Sequence, residues 1–291
     1  MCPNGQRYGA ASGDLSGVCV GAEPDGGPTQ CNLAKPFGSP VLVAGIASTA
    51  EDASLRLSPD EKTAFFFSAR SGTKLLYTAT RTSVTAPFSN VSVLANVNTD
   101  NQYNPSISAD GLTLFFASYR SSGIGDNDIY EATRKTLTGD FTNIRPTPNV
   151  NTAASEVQPY IAHDGNTLYF VRTLPSGLGV FRATGSLSLG FTSAGIISAF
   201  DGPTNDSDPV PSADGLTMYW ASDRPGGTGD LDIWEAHRAT ISGTFGNLQP
   251  VSGVNTIGLD APSDVSEDGC RLYLTSTRAG KTGIYVASRP P

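Results

Sequence analysis

The chain repeats one unit about every fifty residues, and that period constrains it more than any other feature. Each unit runs from an acid or amide through a short extended stretch to a Ser-x-Asp-Gly-like turn. An apolar strand, in most units an arginine, and an Ile-Tyr-like strand follow. The turns are Ser58-Pro59-Asp60-Glu61, Ser108-Ala109-Asp110-Gly111, Ala162-His163-Asp164-Gly165, Ser212-Ala213-Asp214-Gly215 and Ser266-Glu267-Asp268-Gly269. Their aspartates lie 50, 54, 50 and 54 residues apart. A period of that length, with several strands per unit, points to a propeller or a related repeat array. A two-sheet sandwich leaves the regular spacing unexplained.

The second unit predicts the internal order. Gln102 to Ser108 alternates polar and apolar residues, as a strand with two environments does. Asp110-Gly111 marks a hairpin, because glycine supplies the positive φ of the turn. Leu112 to Ser118 is nearly all apolar, as in a strand covered on both faces. Asp128 to Thr133 is a third strand, and Phe141 to Val150, interrupted by proline, suits an outer edge. Four antiparallel strands per unit make one propeller blade. The expected fold is therefore an all-β five-bladed β-propeller, with blades near 51–99, 100–152, 153–203, 204–256 and 257–291. The last unit stops after its third strand. Residues 37–46 (Phe37 to Ile46) resemble the outer strands Phe88–Val97 and Phe245–Val254, so this closing strand is expected to complete blade five. Residues 1–36 form a separate tail rich in Cys, Gly and Pro.

Only 16% of the residues are charged and the net charge is −8, which disfavours a phosphate backbone as partner. No apolar run reaches the roughly 18 residues of a membrane span. A monomer binding a protein or a carbohydrate is expected. Three of the four cysteines fall within the first 31 residues, which suggests disulfides and an oxidising compartment. The opening Met1-Cys2-Pro3-Asn4-Gly5 is read as the start of an exported chain freed of its signal. Cys270 begins the second strand of blade five, at the pole where the closing strand enters just after Cys31. A Cys31–Cys270 bridge is expected there, leaving Cys2 with Cys19.

Each unit begins its inner strand with a polar residue eight positions before the turn aspartate: Asp52, Gln102, Glu156, Asp206 and Asp260. Arg70, Arg120, Arg224 and Arg278 follow their turn aspartates by ten positions. Hairpin geometry should bring acid and arginine together around one channel mouth. Carboxylates facing an axis suit a hard cation such as calcium, with Asp206 and Asp208 the best placed. The other reading is a structural pair copied by duplication. Departures from the repeat then matter more. Unit three has Leu174 where the arginine should stand, which leaves Glu156 without its expected partner, although Arg172 is close. Unit two adds Tyr103, Asn104 and Tyr119, and unit four adds Asp208 and Asp223. Amides, carboxylates and tyrosines together suit sugars or peptide ends. Asp126, Asp128, Asp230 and Asp232 precede third strands, either as calcium donors or as turn residues. With only His163 and His237, zinc or a histidine triad has little support. Trp220 and Trp234 read as packing between blades.

The stretches Ser58–Gly72 and Ser212–Gly227, the latter followed by Asp232-Ile233-Trp234, resemble the WD-like propeller repeat of TolB-type proteins. The resemblance covers about residues 37–291. It implies a propeller in an exported protein, and it does not fix an activity, because such repeats serve protein binding and peptidase gating alike. Five repeats rather than six, and no separate α/β domain, set the chain apart from TolB itself. The leading functional expectation is a non-catalytic binding module with its ligand at the channel mouth. The alternative is a five-bladed glycoside hydrolase using Asp52, Glu156, Asp206 and Asp260. Arginine partners would hold those carboxylates ionised, which is unsuitable for a general acid.

Overall fold

The Ser-x-Asp-Gly turns fold as tight hairpins in every unit. In four of them the serine hydroxyl donates to the turn aspartate, as Ser58 Oγ does to Asp60 Oδ1 at 2.6 Å, and accepts an amide from the returning strand, as from Thr63 at 2.9 Å. The last turn residue has positive φ throughout: Gly111, Gly165, Gly215 and Gly269 lie between +66° and +70°, and Glu61 at 55°. Glycine adopts that conformation without strain, whereas Glu61 must be held there by contacts.

In the computed structural model, the described residues are 31–99, 101–192 and 195–291, together with the backbone of a short pairing between Arg7–Tyr8 and Cys19–Val20. Five antiparallel sheets follow one another along the chain. Their inner strands are Asp52–Leu57, Gln102–Ile107, Glu156–Ile161, Asp206–Pro211 and Asp260–Val265. Neighbouring inner strands touch in cyclic order, and the fifth touches the first, so the sheets close into a five-bladed propeller. Blade five is completed by Val41–Leu42, whose residues pair antiparallel with Val286 and Tyr285. Cys31 and Cys270 form a disulfide with their Cα atoms 5.7 Å apart, beside this closure. It joins residues 239 apart in sequence, and in a chain-entropy model a loop that long contributes up to about 5 kcal/mol. The expected Cys2–Cys19 bridge lies outside the described residues.

The outer strands are shorter than the sequence suggests: Ser89–Val93, Thr142–Pro146 and Gly246–Pro250. The reason is that each outer segment is held by two buried anchors nine residues apart rather than by a long ladder. These are Phe37 and Ile46, Phe88 and Val97, Phe141 and Val150, Phe191 and Phe200, and Phe245 and Val254, all buried. Blade three keeps its anchors although its outer edge is split into Gly190–Phe191 and Gly195–Ile196. Most of the core lies in the seams between blades. The first seam packs Phe65, Phe67 and Leu76 of one blade against Leu114, Phe116 and Phe141 of the next. Burying each such side chain stabilises the fold by about 1.5–3 kcal/mol.

The inner hairpins are not the plain ladders expected. Asp52 lies opposite Ser68, and Glu156 opposite Arg172, so the first inner residue faces turn position +8, two before the usual arginine. The register then shifts at the third residue of the inner strand. Ser54, Asn104, Gln158 and Asp208 occupy that position with φ between 49° and 54°. These are β-bulges, which kink the strand and re-aim its side chains toward the axis.

Candidate functional site

Two sets of polar side chains surround the axis at different heights. The first is a collar at the start of the inner strands. Asp52 accepts Arg70 Nη2 at 2.7 Å on one oxygen, and the Ser48 amide and hydroxyl at 2.7 and 2.8 Å on the other. Asp260 repeats this with Arg278 at 2.8 Å and with the amide and hydroxyl of Thr256. Asp206 accepts Arg224 at 2.7 Å, the Trp220 indole at 2.9 Å and the Thr204 hydroxyl at 3.1 Å. Gln102 bonds Thr99 and Ser118, and Arg120 donates to Ser118 Oγ at 3.1 Å and to the Val97 carbonyl. Each arginine also stacks on ring faces of its own blade; Arg70, for instance, lies over Phe66 and Tyr77. Arg70 and Arg278 also bind carbonyls of the preceding outer segment, Ile46 and Val254, at 2.7 Å. The collar thus joins hairpin, outer segment and aromatic layer.

Blade three corrects one expectation. Glu156 is not left without a partner: Arg172 Nε donates to its Oε1 at 2.6 Å, the Thr152 hydroxyl donates to the same oxygen, and the Thr152 amide donates to Oε2 at 2.9 Å. Arg172 stands directly opposite Glu156, and the extra methylene of glutamate supplies the reach that Asp52 lacks. Arg172 also stacks on Phe181, 4.4 Å from the ring centre. Asp52, Gln102, Glu156, Asp206 and Asp260 are each at most 1% exposed. A ligand at the axis therefore meets few open oxygens in the collar.

The second set lies deeper, where the repeat breaks. Successive inner strands place Ser54, Asn104, Gln158, Asp208 and Pro262 at one level, and Arg56, Ser106, Tyr160, Val210 and Asp264 two residues on. At the first level Asn104 Nδ2 donates to Ser54 Oγ at 2.8 Å, and Gln158 Nε2 donates to Asp208 Oδ2 at 2.8 Å. At the second level Tyr160 donates to Asp264 Oδ1 at 2.8 Å, and the other oxygen of Asp264 accepts the Leu57 amide at 2.7 Å. This chain of bonds crosses the ring from blade three to blade five to blade one. The Arg56 guanidinium lies 4.7 Å from the centre of the Tyr160 ring, with its Nε buried and without a partner among the described residues. Burial pushes the Asp208 and Asp264 carboxyls up to about 6, with Arg56 opposing the rise in both. Burial likewise raises Tyr160, with Asp264 adding to it.

Above this floor the axis opens at the turn pole into a funnel of about 60 Å³. Its rim consists of the variable residue of each Ser-x-Asp-Gly turn: Pro59, Ala109, His163, Ala213 and Glu267. Three are small or apolar, and His163 and Glu267 pair at 3.1 Å. Its wall carries Leu57, Ile107, Ile161, Pro211 and Val265. The turn aspartates keep Oδ1 bound within their own turns.

The residues grouped by sequence therefore occupy separate places. Asn104 and Asp208 reach the channel. Tyr103 lies in the first seam, its ring 6.2 Å from Phe67, and Tyr119, just past the end of its strand, is 62% exposed. Asp128 and Asp232 cap turns, accepting the amides of Ile124 and Gly125, and of Thr228 and Gly229. Among the described residues no group of three or more potential metal-ligating side chains gathers. Asp206 accepts from Arg224 and the Trp220 indole, and Asp208 lies beside Arg56. Arg56, Tyr160 and Asp264 were not singled out by sequence reasoning. The available signal was the position four before each turn aspartate, which reads Arg, Ser, Tyr, Val and Asp across the units.

No family model matches the sequence, and no curated protein does. Solved structures match the fold. TolB from Acinetobacter baumannii superposes with a TM-score of 0.50 at 18% identity, over 83% of this chain and 55% of that one. An α-L-arabinofuranosidase from Podospora anserina, solved with cellotriose, gives 0.57 at 11% identity over 90% and 99%. The endo-arabinase from Bacteroides thetaiotaomicron gives 0.57 at 12% identity over 85% and 97%. The present chain therefore spans little more than half of that TolB, but nearly the full length of the two glycosidases. Among the described residues no helix is long and apolar enough to cross a membrane.

Proposed function

We propose that this protein is a non-catalytic binding module acting outside the cytoplasm, with the turn-pole mouth as its docking face for a protein segment. The observation that carries this reading is the floor formed by Arg56, Tyr160 and Asp264. It leaves a funnel of about 60 Å³, whereas pockets that enclose a small substrate run to about 300–1,000 Å³. The funnel has room for the tip of one side chain, with the small rim residues receiving the backbone on either side. The Cys31–Cys270 disulfide supports an oxidising location. The net charge of −8 argues against nucleic acid. A peptide-display selection tests the reading. Wild type should enrich sequences that Ala213→Arg, which fills the rim, fails to enrich. Equal enrichment by both proteins would contradict it.

A second reading, glycoside hydrolysis, is favoured by one observation. Asp208 and Asp264 are carboxyls raised to about 6 inside a five-bladed ring, a condition suited to a general acid. Against it, Asp264 is tied to Tyr160 and Leu57. Turnover of aryl-arabinofuranosides by wild type, abolished in both Asp208→Asn and Asp264→Asn, would establish this reading and displace the first.

A further inference from the structure

The seams between blades solve one charge problem in different ways. Where the ring closes, between blades five and one, two arginines converge on an internal carboxylate. Arg271 donates to Glu61 at 2.5–3.1 Å, Arg81 reaches Glu61 at 3.5 Å, and the Tyr273 hydroxyl donates to it at 2.6 Å. Between blades four and five, Arg289 donates to the Tyr219 hydroxyl at 3.3 Å, and an acid, Glu235, stands opposite Tyr219 across the sheet.

The acid is missing between blades one and two, where Arg134 Nε binds the Gly111 carbonyl at 2.7 Å, and between blades three and four, where two arginines line a cavity. Arg238 occupies the position of Arg81: its Nε binds the Gly215 carbonyl at 2.8 Å, its Nη2 reaches the Tyr169 hydroxyl at 3.4 Å, and it lies 4.5 Å from the centre of the Phe245 ring. Opposite Tyr169 stands Arg182 instead of an acid, and Gly215 stands where Glu61 stands in blade one. Among the described residues neither Arg182 nor Arg238 has an ion-pair partner. The Asp164 carboxylate, which Tyr169 also feels, accepts the amides of Asn166 and Thr167. Arg238 is only 7% exposed. Both arginines line a cavity of about 330 Å³, whose wall adds the residues Ser198, Ser242 and Thr244.

We propose that this cavity binds an oxyanion, the carboxylate, sulfate or phosphate group of an external ligand, between the guanidinium groups of Arg182 and Arg238. Guanidinium forks bind such groups with charge-assisted hydrogen bonds, which are strong where water is partly excluded. The volume exceeds what a bare anion needs, so the group can be carried on a sugar ring or a short chain. The net charge of −8 works against an anion here as elsewhere, so the two arginines must outweigh it locally.

Calorimetric titration with sodium sulfate, sodium phosphate and sodium glucuronate at constant ionic strength tests the site. Wild type should show saturable binding to at least one of them, weakened at least about tenfold in Arg182→Gln. Gly215→Glu gives a second, independent readout. Position 215 has φ +66°, which strains any side chain, and a Cβ there would lie 3.0 Å from Ile241 Cδ1 and 3.4 Å from Arg238 Nη2. A glutamate at this position should supply a carboxylate to Arg238 and weaken or abolish the titration signal, whatever the strain of the turn costs in melting temperature. Tighter binding of glucuronate than of the inorganic ions would assign the anion to a larger ligand, and the reverse would assign it to a free ion; both sustain the site. No saturable binding by wild type, or identical responses in wild type and Arg182→Gln, would overturn it, the latter as a general salt effect.

Discussion

The collar and the channel floor are both rings of polar residues on the same five inner strands, yet they differ in kind. The collar repeats: an acid or amide, a hydroxyl beside it and an arginine stacked on an aromatic layer recur around the ring. The floor does not repeat, since Arg56, Ser106, Tyr160, Val210 and Asp264 share a position and no chemistry. Duplication preserves what every blade needs in order to stand against its neighbours. A single ligand on the axis needs only one copy of each contact. In this propeller, repetition therefore marks structure and its interruption marks the candidate site.

The largest expected effect breaks the collar. Asp260→Ala removes the carboxylate that faces Arg278 and leaves a largely buried guanidinium uncompensated. It should lower stability by about 3–5 kcal/mol, read as a shift of the urea midpoint. A change below about 1 kcal/mol would show that the collar is not a structural pairing. Next, Glu61→Gln at the ring-closing seam should cost about 2–4 kcal/mol in the same assay, because Arg271 and Arg81 lose a shared anion.

The channel should respond to pH with the opposite sign to an ordinary ion-paired acid. Asp208 is raised from 3.8 to about 6 by burial, so between those values the folded chain keeps a proton that the unfolded chain has released. The stability this contributes is complete below the unfolded value and lost as pH rises through about 6. Asp208→Asn cannot titrate. Relative to wild type it should gain about 1–3 kcal/mol between pH 4 and pH 7, measured by urea unfolding at each pH. A constant difference would mean that the carboxyl is not perturbed. The smallest effect is expected at the rim. Glu267→Gln removes a half-exposed pair with His163 and should change stability by no more than about 0.5 kcal/mol.

Much of this architecture can be read from residues alone, and the reasons are local. The Asp-Gly hairpins set the period, the last unit visibly lacks an outer strand, and Phe37 to Ile46 carries the matching pattern. Cys31 and Cys270 fall at the same pole because strand direction alternates. What stayed hidden depends on register and on neighbours across the ring. The partner of Glu156 could not be found by counting to position +10, because in blade three the second strand runs on through Leu174 and the arginine stands directly opposite the longer acid. Tyr160 and Asp264 are 104 residues apart, and only closure of the ring shows that blades three and five meet over the axis. Tyr103 and Tyr119 look like site residues beside Asn104, but Tyr103 turns into a seam and Tyr119, just past the end of its strand, is exposed.

Calorimetric titration of a display-selected peptide into wild type, Ala213→Arg and Asp206→Asn, with the melting temperature of each protein measured alongside, separates the two rings most directly. Ala213→Arg should lose at least about tenfold in affinity while melting with wild type, and Asp206→Asn should melt lower while binding with wild-type affinity. Undiminished binding by Ala213→Arg, or loss of binding in a folded Asp206→Asn, would place the ligand at the collar and contradict the assignment of the mouth.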